Sequence, residues 1–339
     1  MRVEAWADAV TTLEPFAIAR ETSERFPVVR VRVEHDGVEG VGEGAPLSRY
    51  DETIESGLAF LAEAEELVGE HPFALEAIGA RLAAHEGQGA AKAALDGALH
   101  DLVGKLLGVP VWRLLGLDRV GPPTSWTVWL GDPDDMARRA EAVVASGRFR
   151  RLKLKLGGRD RLDVERVRAV RRVTDLPLQV DVNEYWSVDE ALDALPHLAE
   201  LGVAYCEQPL PAGDEGGATV KARSPIPIFV DEDVHTAADV PACARVAHGV
   251  NVKLAKSGGI REALRIVHTA RALGLGCMLG CMVESGLAVS AGAQIASLFD
   301  HVDLDGNLLL GSDPYPGVEL VEGVQLPPDA PGLGVRAET

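Results

Sequence analysis

Lys153, Lys155, Asp181, Glu207, Asp231, Lys253, Asp303 and Asp305 each stand near the C-terminal end of a short, largely apolar segment. Asp181, Glu207 and Asp231 fall on three consecutive segments. If those segments lie side by side, three carboxylates share a space of low dielectric and repel one another. Two arrangements relieve that cost. The acids can pair with the lysines as a structural ion network, or they can hold a hard divalent cation. All-oxygen ligation without His or Cys suits Mg2+, with Mn2+ as an alternative, and does not suit zinc. A lysine beside such a cation and a second ammonium loses proton affinity and can act as a base. Lys155 and Lys253 are the candidate bases, and Lys153 is the neighbour placed to tune Lys155. The cation would stabilise an enolate formed by loss of a proton next to a carboxylate or amide carbonyl.

The elements that carry these residues read as strands. Leu152-Lys153-Leu154-Lys155-Leu156 alternates with period two, so its leucines face one layer and its lysines the other. Leu178 to Asn183, Ile228 to Asp231, Val250 to Leu254 and His301 to Asp305 alternate in phase with it. Parity puts Asp181 and Asn183, Asp231, Lys253, and Asp303 and Asp305 on the inner side. Glu207 is the last ionisable group before the turn at Pro209. Glu232 is expected to face away from Asp231, and Lys256 outward or beyond its strand. His301 is inward with a structural role, and His100 is packed in an apolar helix.

Strands are predicted at 124–130, 151–157, 177–183, 203–209, 227–233, 249–255, 276–282 and 301–305. Helices are predicted between them at 133–146, 160–174, 187–201, 214–223, 236–247, 259–273 and 285–298. A strand–helix unit of about 25 residues is a βα unit and not a solenoid repeat. The expected fold is α/β, a (β/α)7β TIM-like barrel over residues 123–314. A doubly wound open sheet is the competitor. Ionisable groups on one face of so many strands favour closure, because helices cover both faces of an open sheet. In a closed barrel the second and sixth strands are opposite, so Lys155 and Lys253 can face each other across a substrate.

Residues 1–122 differ in kind. A strand at 28–34, a turn at His35-Asp36-Gly37 and a returning strand at 38–44 precede helices at 53–68, 73–85 and 90–106. This is an α+β capping domain, and the Pro- and Gly-rich tail 315–339 is expected to return to it.

The chain has 339 residues, 47% hydrophobic and 25% charged, as soluble globular proteins do. A net charge of -19 argues against nucleic acid and anionic membranes as partners. Cys206, Cys243, Cys277 and Cys281 lack zinc-like spacing and are expected to be reduced. No signal-peptide core or apolar run of about 20 residues is visible, which makes the cytoplasm the expected compartment. Homo-oligomerisation is compatible with this reading.

These segments together resemble the enolase superfamily in its muconate-lactonizing branch. Lys153-Leu154-Lys155 is similar to that branch's KxK. Asp181-Val182-Asn183, Glu207-Gln208-Pro209 and Asp231-Glu232 resemble its three metal-ligand segments, and Lys253 to Gly259 its sixth-strand lysine segment. Ala93 to Lys105 resembles the signature helix of its capping domain. The likeness runs nearly end to end and implies a capping domain built from both chain ends.

Asp303-Leu304-Asp305 resembles the DxD of dipeptide epimerases, whose two carboxylates hold the substrate's α-ammonium. The resemblance therefore implies Mg2+-dependent epimerisation of L,L-dipeptides at the C-terminal residue, by two-base 1,1-proton transfer through a metal-stabilised enolate. Cycloisomerase, o-succinylbenzoate synthase or N-acylamino-acid racemase activity is the alternative on the same site. Glu284-Ser285 resembles a recurring pair that lines the site, though a helix cap with an early acid reads equally well. Pro15 to Arg20, and Arg25, resemble a mobile capping loop in which Arg20 or Arg25 binds the terminal carboxylate. Tyr50 sits where a second capping loop is expected.

Overall fold

Asp36 and Gly37, at φ 51° and 75°, form the two-residue turn between strands β2 and β3 in the computed structural model, which describes residues 1–338. Positive φ at both positions matches the right-handed twist of the strands it joins. The sheet runs β1 (Arg2–Ala17), β2 (Thr22–His35) and β3 (Val38–Gly44), all antiparallel. β1 was not among the expected strands. It takes in Pro15, Phe16 and Ala17, so only the turn 18–21 remains of the expected capping loop. A register irregularity between Thr11 and Phe16 bends β1 toward that turn.

The helix Gly89–Leu107 lies on this sheet and is buried along most of its length. Gly40, Gly42 and Gly44 face it. A Cβ on them would lie 2.1, 2.0 and 2.0 Å from the backbone oxygens of Ala98, Ala94 and Ala90. The match arises because two strand residues advance about 6.7 Å and four helix residues about 6 Å. The helix predicted at 53–68 is two helices, Ile54–Leu61 and Ala64–Val68.

Eight parallel strands follow in sequence order: β4 (Trp126–Val128), β5 (Leu152–Lys155), β6 (Leu178–Asp181), β7 (Val203–Glu207), β8 (Ile228–Val230), β9 (Gly249–Lys253), β10 (Gly276–Gly280) and β11 (His301–Asp303). Thr124 and Val302 bridge the first and last strands, closing the barrel. Helices cover its outside. Leu152, Leu154, Leu178, Val180 and Val182 point into that helical layer at 0% exposure.

Beyond the barrel a small hairpin, β12 (Glu319–Val321) and β13 (Val324–Leu326), closes its base. Gln325 Nε2 donates to the Leu304 carbonyl at 2.8 Å. The tail then reaches the cap, where Leu333 N donates to Asp101 of the long capping helix at 2.8 Å. The four cysteines are free. Among the described residues no helix is long and apolar enough to cross a membrane.

Candidate active site

The barrel interior is layered. Tyr205, Phe229, His301 and Met278 plug its base, with the Tyr205 ring 4.8 Å from Phe229 and 4.6 Å from His301. His301 therefore packs, as expected, and burial pushes its pKa down to about 4. Above it lie neutral polar groups. The Tyr205 hydroxyl donates to Gln179 Oε1 at 2.5 Å, and Gln179 Nε2 donates to Ser125 Oγ at 3.0 Å. Asn251 Nδ2 donates to Glu207 Oε1 at 2.7 Å.

The charged layer comes next. Lys153 Nζ lies 3.0 Å from Asp181, 2.7 Å from Glu207 and 2.8 Å from Asp303. Lys155 Nζ lies 2.6 Å from the same Asp181 oxygen. From the sixth strand, Lys253 Nζ lies 2.7 Å from Asp231 Oδ2. Lys256 bonds the other Asp231 oxygen, together with the backbone oxygens of Asp231, Val234 and Asn251. Lys155 and Lys253 thus enter the pocket from strands four places apart in the barrel, each against a different carboxylate.

Two residues depart from strand parity. Lys256 is neither outward nor solvated. β9 ends at Lys253, and the helical turn Leu254–Ser257 swings Lys256 back under Asp231. Glu232 does not face away from Asp231. β8 ends at Val230, and the carboxylate turns to meet Arg20 at 2.6 Å, its side chain only 1% exposed. Alternation holds only while the chain stays in a strand.

Burial works against ionising every acid here, and neighbours decide the outcome. Asp181 is nevertheless held well below the usual carboxylate range by Lys153, Lys155 and Lys253. Asp231 is held down by Lys253 and Lys256. Glu207 is pushed up to about 7 by burial and by Asp181. Its Oε2, although close to Lys153 Nζ, has no hydrogen-bond donor aligned on it. Burial opposes the charge on Lys153 and Lys253 as well, but the surrounding carboxylates outweigh it and raise both pKa values. Among the described residues no group of three or more His, Cys, Asp or Glu side chains is arranged to hold a metal ion as it stands. In the chain alone, Lys153, Lys155, Lys253 and Lys256 pair with these carboxylates.

One pocket gathers most of the expected residues. Lys153, Lys155, Asn183, Asp231, Lys253, Asp303, Asp305, Arg20 and Tyr50 all line it. Asp303 accepts from Lys153 and from Ser125 Oγ, while Asp305 accepts from the Thr127 amide at 2.6 Å. Burial and then Asp303 push the Asp305 carboxyl up to about 7. Asn183, at φ 49°, accepts from Lys155 Nζ at 3.3 Å.

Asp181 and Glu207 lie just beneath the pocket, fully buried against Lys153, and do not line it. Two further expected residues lie elsewhere. Arg25 pairs with Thr11 on the hairpin, is exposed, and does not line the pocket. Glu284 does not line it either. It is buried at 4% exposure beside a small cavity shared with Glu43, where burial and then Glu43 push its carboxyl up to about 8. Ser125, Thr127 and Gln208 were not singled out. Gln208 Oε1 accepts from the Asp231 and Glu232 amides at 2.7 and 3.0 Å and so sets the end of β8.

A family model described as Enolase C-terminal domain-like matches residues 135–338, and one described as Mandelate racemase / muconate lactonizing enzyme, N-terminal domain, matches residues 2–116. The chain belongs to the mandelate racemase/muconate lactonizing enzyme family. Among its relatives in that family, the L-Ala-D/L-Glu epimerase of Bacteroides thetaiotaomicron is 41% identical over 324 residues, covering 94% of this chain and 84% of the relative. The substrate-liganded L-Ala-D/L-Glu epimerase of Bacillus subtilis superposes with a TM-score of 0.94 at 31% identity, covering 99% and 98% of the two chains. The dipeptide epimerase of Enterococcus faecalis V583, complexed with Mg and L-Leu-L-Tyr, gives 0.92 at 32% identity, covering 98% of each.

Proposed function

We propose that this member of the family epimerises L,L-dipeptides at their C-terminal residue by two-base 1,1-proton transfer. The observation that carries the reading is the placement of Lys155 and Lys253 on opposite sides of one pocket, with Asp303 and Asp305 at its eighth-strand edge. The relatives that act on dipeptides support it.

Asp181, Glu207 and Asp231 would hold Mg2+, with Mn2+ as an alternative. The donor set fits: three fully buried carboxylates, all oxygen, one of them with an oxygen that no donor satisfies. When bound, the metal supplies positive charge that acidifies the carbon next to the substrate carboxylate. Lys155 and Lys253 flank that carbon. One takes its proton and the other returns a proton to the opposite face, inverting the centre. Lys153 bridges the metal-ligand acids to Asp303 and fixes their spacing. Asp303 and Asp305 accept the α-ammonium in charge-assisted hydrogen bonds. Asn183 positions the Lys155 amine. A substrate without an ammonium would bring no counter-charge to Asp305, which pairs with the neutral Thr127 amide and no cation, and this disfavours the acylated and anionic alternatives.

The test is solvent exchange in D2O with L,L-dipeptides. Wild type incorporates deuterium at the C-terminal α-carbon, and EDTA stops this until Mg2+ is restored. Lys155→Ala and Lys253→Ala each lower epimerisation by about a thousandfold or more. The two-base assignment fails if either variant epimerises at the wild-type rate.

A further inference from the structure

We infer that the dipeptides this site selects carry an apolar C-terminal side chain, and that an acidic one is selected against. The inference rests on the dipeptide-epimerase reading and concerns the outer part of the same pocket. With the α-carbon between Lys155 and Lys253, the carboxylate on the acid side and the amino end at Asp303 and Asp305, the C-terminal side chain has one direction left. It points out of the barrel toward the cap. The groups that meet it there are Ile18, Arg20, Glu21, Leu47, Tyr50 and Glu232.

Arg20 is the one cation in that outer set, and its guanidinium is already committed. Nη1 lies 2.5 Å from Glu184 Oε2, and Nη2 lies 2.6 Å from Glu232 Oε1. Glu184 is itself immobilised. Arg49, from the second capping turn, grips both its oxygens at 2.7 and 2.9 Å, and the Ala212 amide donates to it at 2.9 Å. A substrate carboxylate could recruit Arg20 only by displacing Glu184 or Glu232. Displacing Glu232, with its side chain 1% exposed, would strand a buried charge. Glu21 adds further repulsion. A cationic side chain would meet the half-buried Arg20, while Glu21, which could attract it, is exposed and screened by solvent. An apolar one disturbs no pair and gains the walls of Ile18, Leu47 and the Tyr50 ring, which stands edge-on to His235 at 4.7 Å.

The experiment measures kcat/KM for α-deuterium incorporation with L-Ala-L-Leu, L-Ala-L-Phe, L-Ala-L-Glu and L-Ala-L-Lys, with Mg2+, by mass spectrometry. L-Ala-L-Leu and L-Ala-L-Phe are expected to exceed L-Ala-L-Glu by about a hundredfold, the scale on which unpaired buried charge and lost apolar contact discriminate, and to exceed L-Ala-L-Lys. Glu184→Gln loosens Arg20 and is expected to narrow the Leu-to-Glu ratio by about tenfold. The ratio is the readout because a loss of folded protein lowers both rates alike. L-Ala-L-Glu or L-Ala-L-Lys leading the panel overturns the inference, as does a ratio that Glu184→Gln leaves unchanged. Exchange with no member of the panel removes the dipeptide reading itself, and this inference with it.

Discussion

Replacing Glu284 by Gln removes a loss of stability that the wild-type protein suffers as pH rises. Burial, reinforced by Glu43, moves this carboxyl from its ordinary 4.5 to about 8 in the folded chain. The folded state therefore binds the proton more tightly than the unfolded state does. The stabilisation is fully present below pH 4.5 and is lost as pH climbs through 8. A gap of about 3.5 units, at about 1.4 kcal/mol per unit, corresponds to about 5 kcal/mol over the whole range. About half of this is lost between pH 5.5 and 7.5. Gln has the same shape and cannot ionise. Urea unfolding of both proteins, followed by tryptophan fluorescence at pH 5.5, 6.5 and 7.5, gives the difference directly. Glu207 and Asp305 also titrate near 7, but they are common to both proteins and cancel. A difference that stays flat within about 0.5 kcal/mol across these pH values would refute the reasoning, because Glu284 would then ionise as an exposed carboxylate does.

If Asp305 holds the substrate ammonium, it does so as the anion, and its carboxyl sits at about 7. KM for dipeptides is expected to fall as pH rises through 7, and Asp305→Asn to raise KM and abolish that dependence. Gly42→Ala drives a methyl group to 2.0 Å from the Ala94 carbonyl. It is expected to destabilise the protein by about 3 kcal/mol or more, read as a fall in Tm.

The barrel and its inward charges were legible because the inner face of these strands is ionisable while the outer face is apolar, so alternation survives in the sequence. That rule places Lys153, Lys155, Asp181, Asp231, Lys253 and Asp303 correctly, and each lies in a strand or one residue past its end. The neutral inner groups carried the same signal. Gln179 and Asn251 stand two residues before Asp181 and Lys253, so parity alone could have found them. Glu232 and Lys256 were misread where parity stops. β1 was missed because it pairs with one neighbour only and its burial is irregular, which leaves little period in the sequence. Arg49, Glu184 and Arg20 come from three separate turns, and no local pattern links residues 135 or more positions apart. Glu284 was assigned to the pocket through a resemblance, whereas its depth is a property of how cap and barrel close on each other.

The glycines of β3 make a seam of backbone against backbone, with no side chains that could be swapped for larger or smaller ones. A seam of that kind is nearly immutable. The turns at 18–21 and 48–50, which reach the outer pocket from the sheet and from just beyond β3, meet their neighbours through side chains, Arg20 and Arg49 through ion pairs to Glu184 and Glu232. The molecule thus divides its sequence between positions held by side chains, which can be exchanged if their partners change with them, and positions held by backbone, which can hardly be exchanged at all. A change of substrate is therefore open to paired exchanges in these turns and closed to the glycine seam.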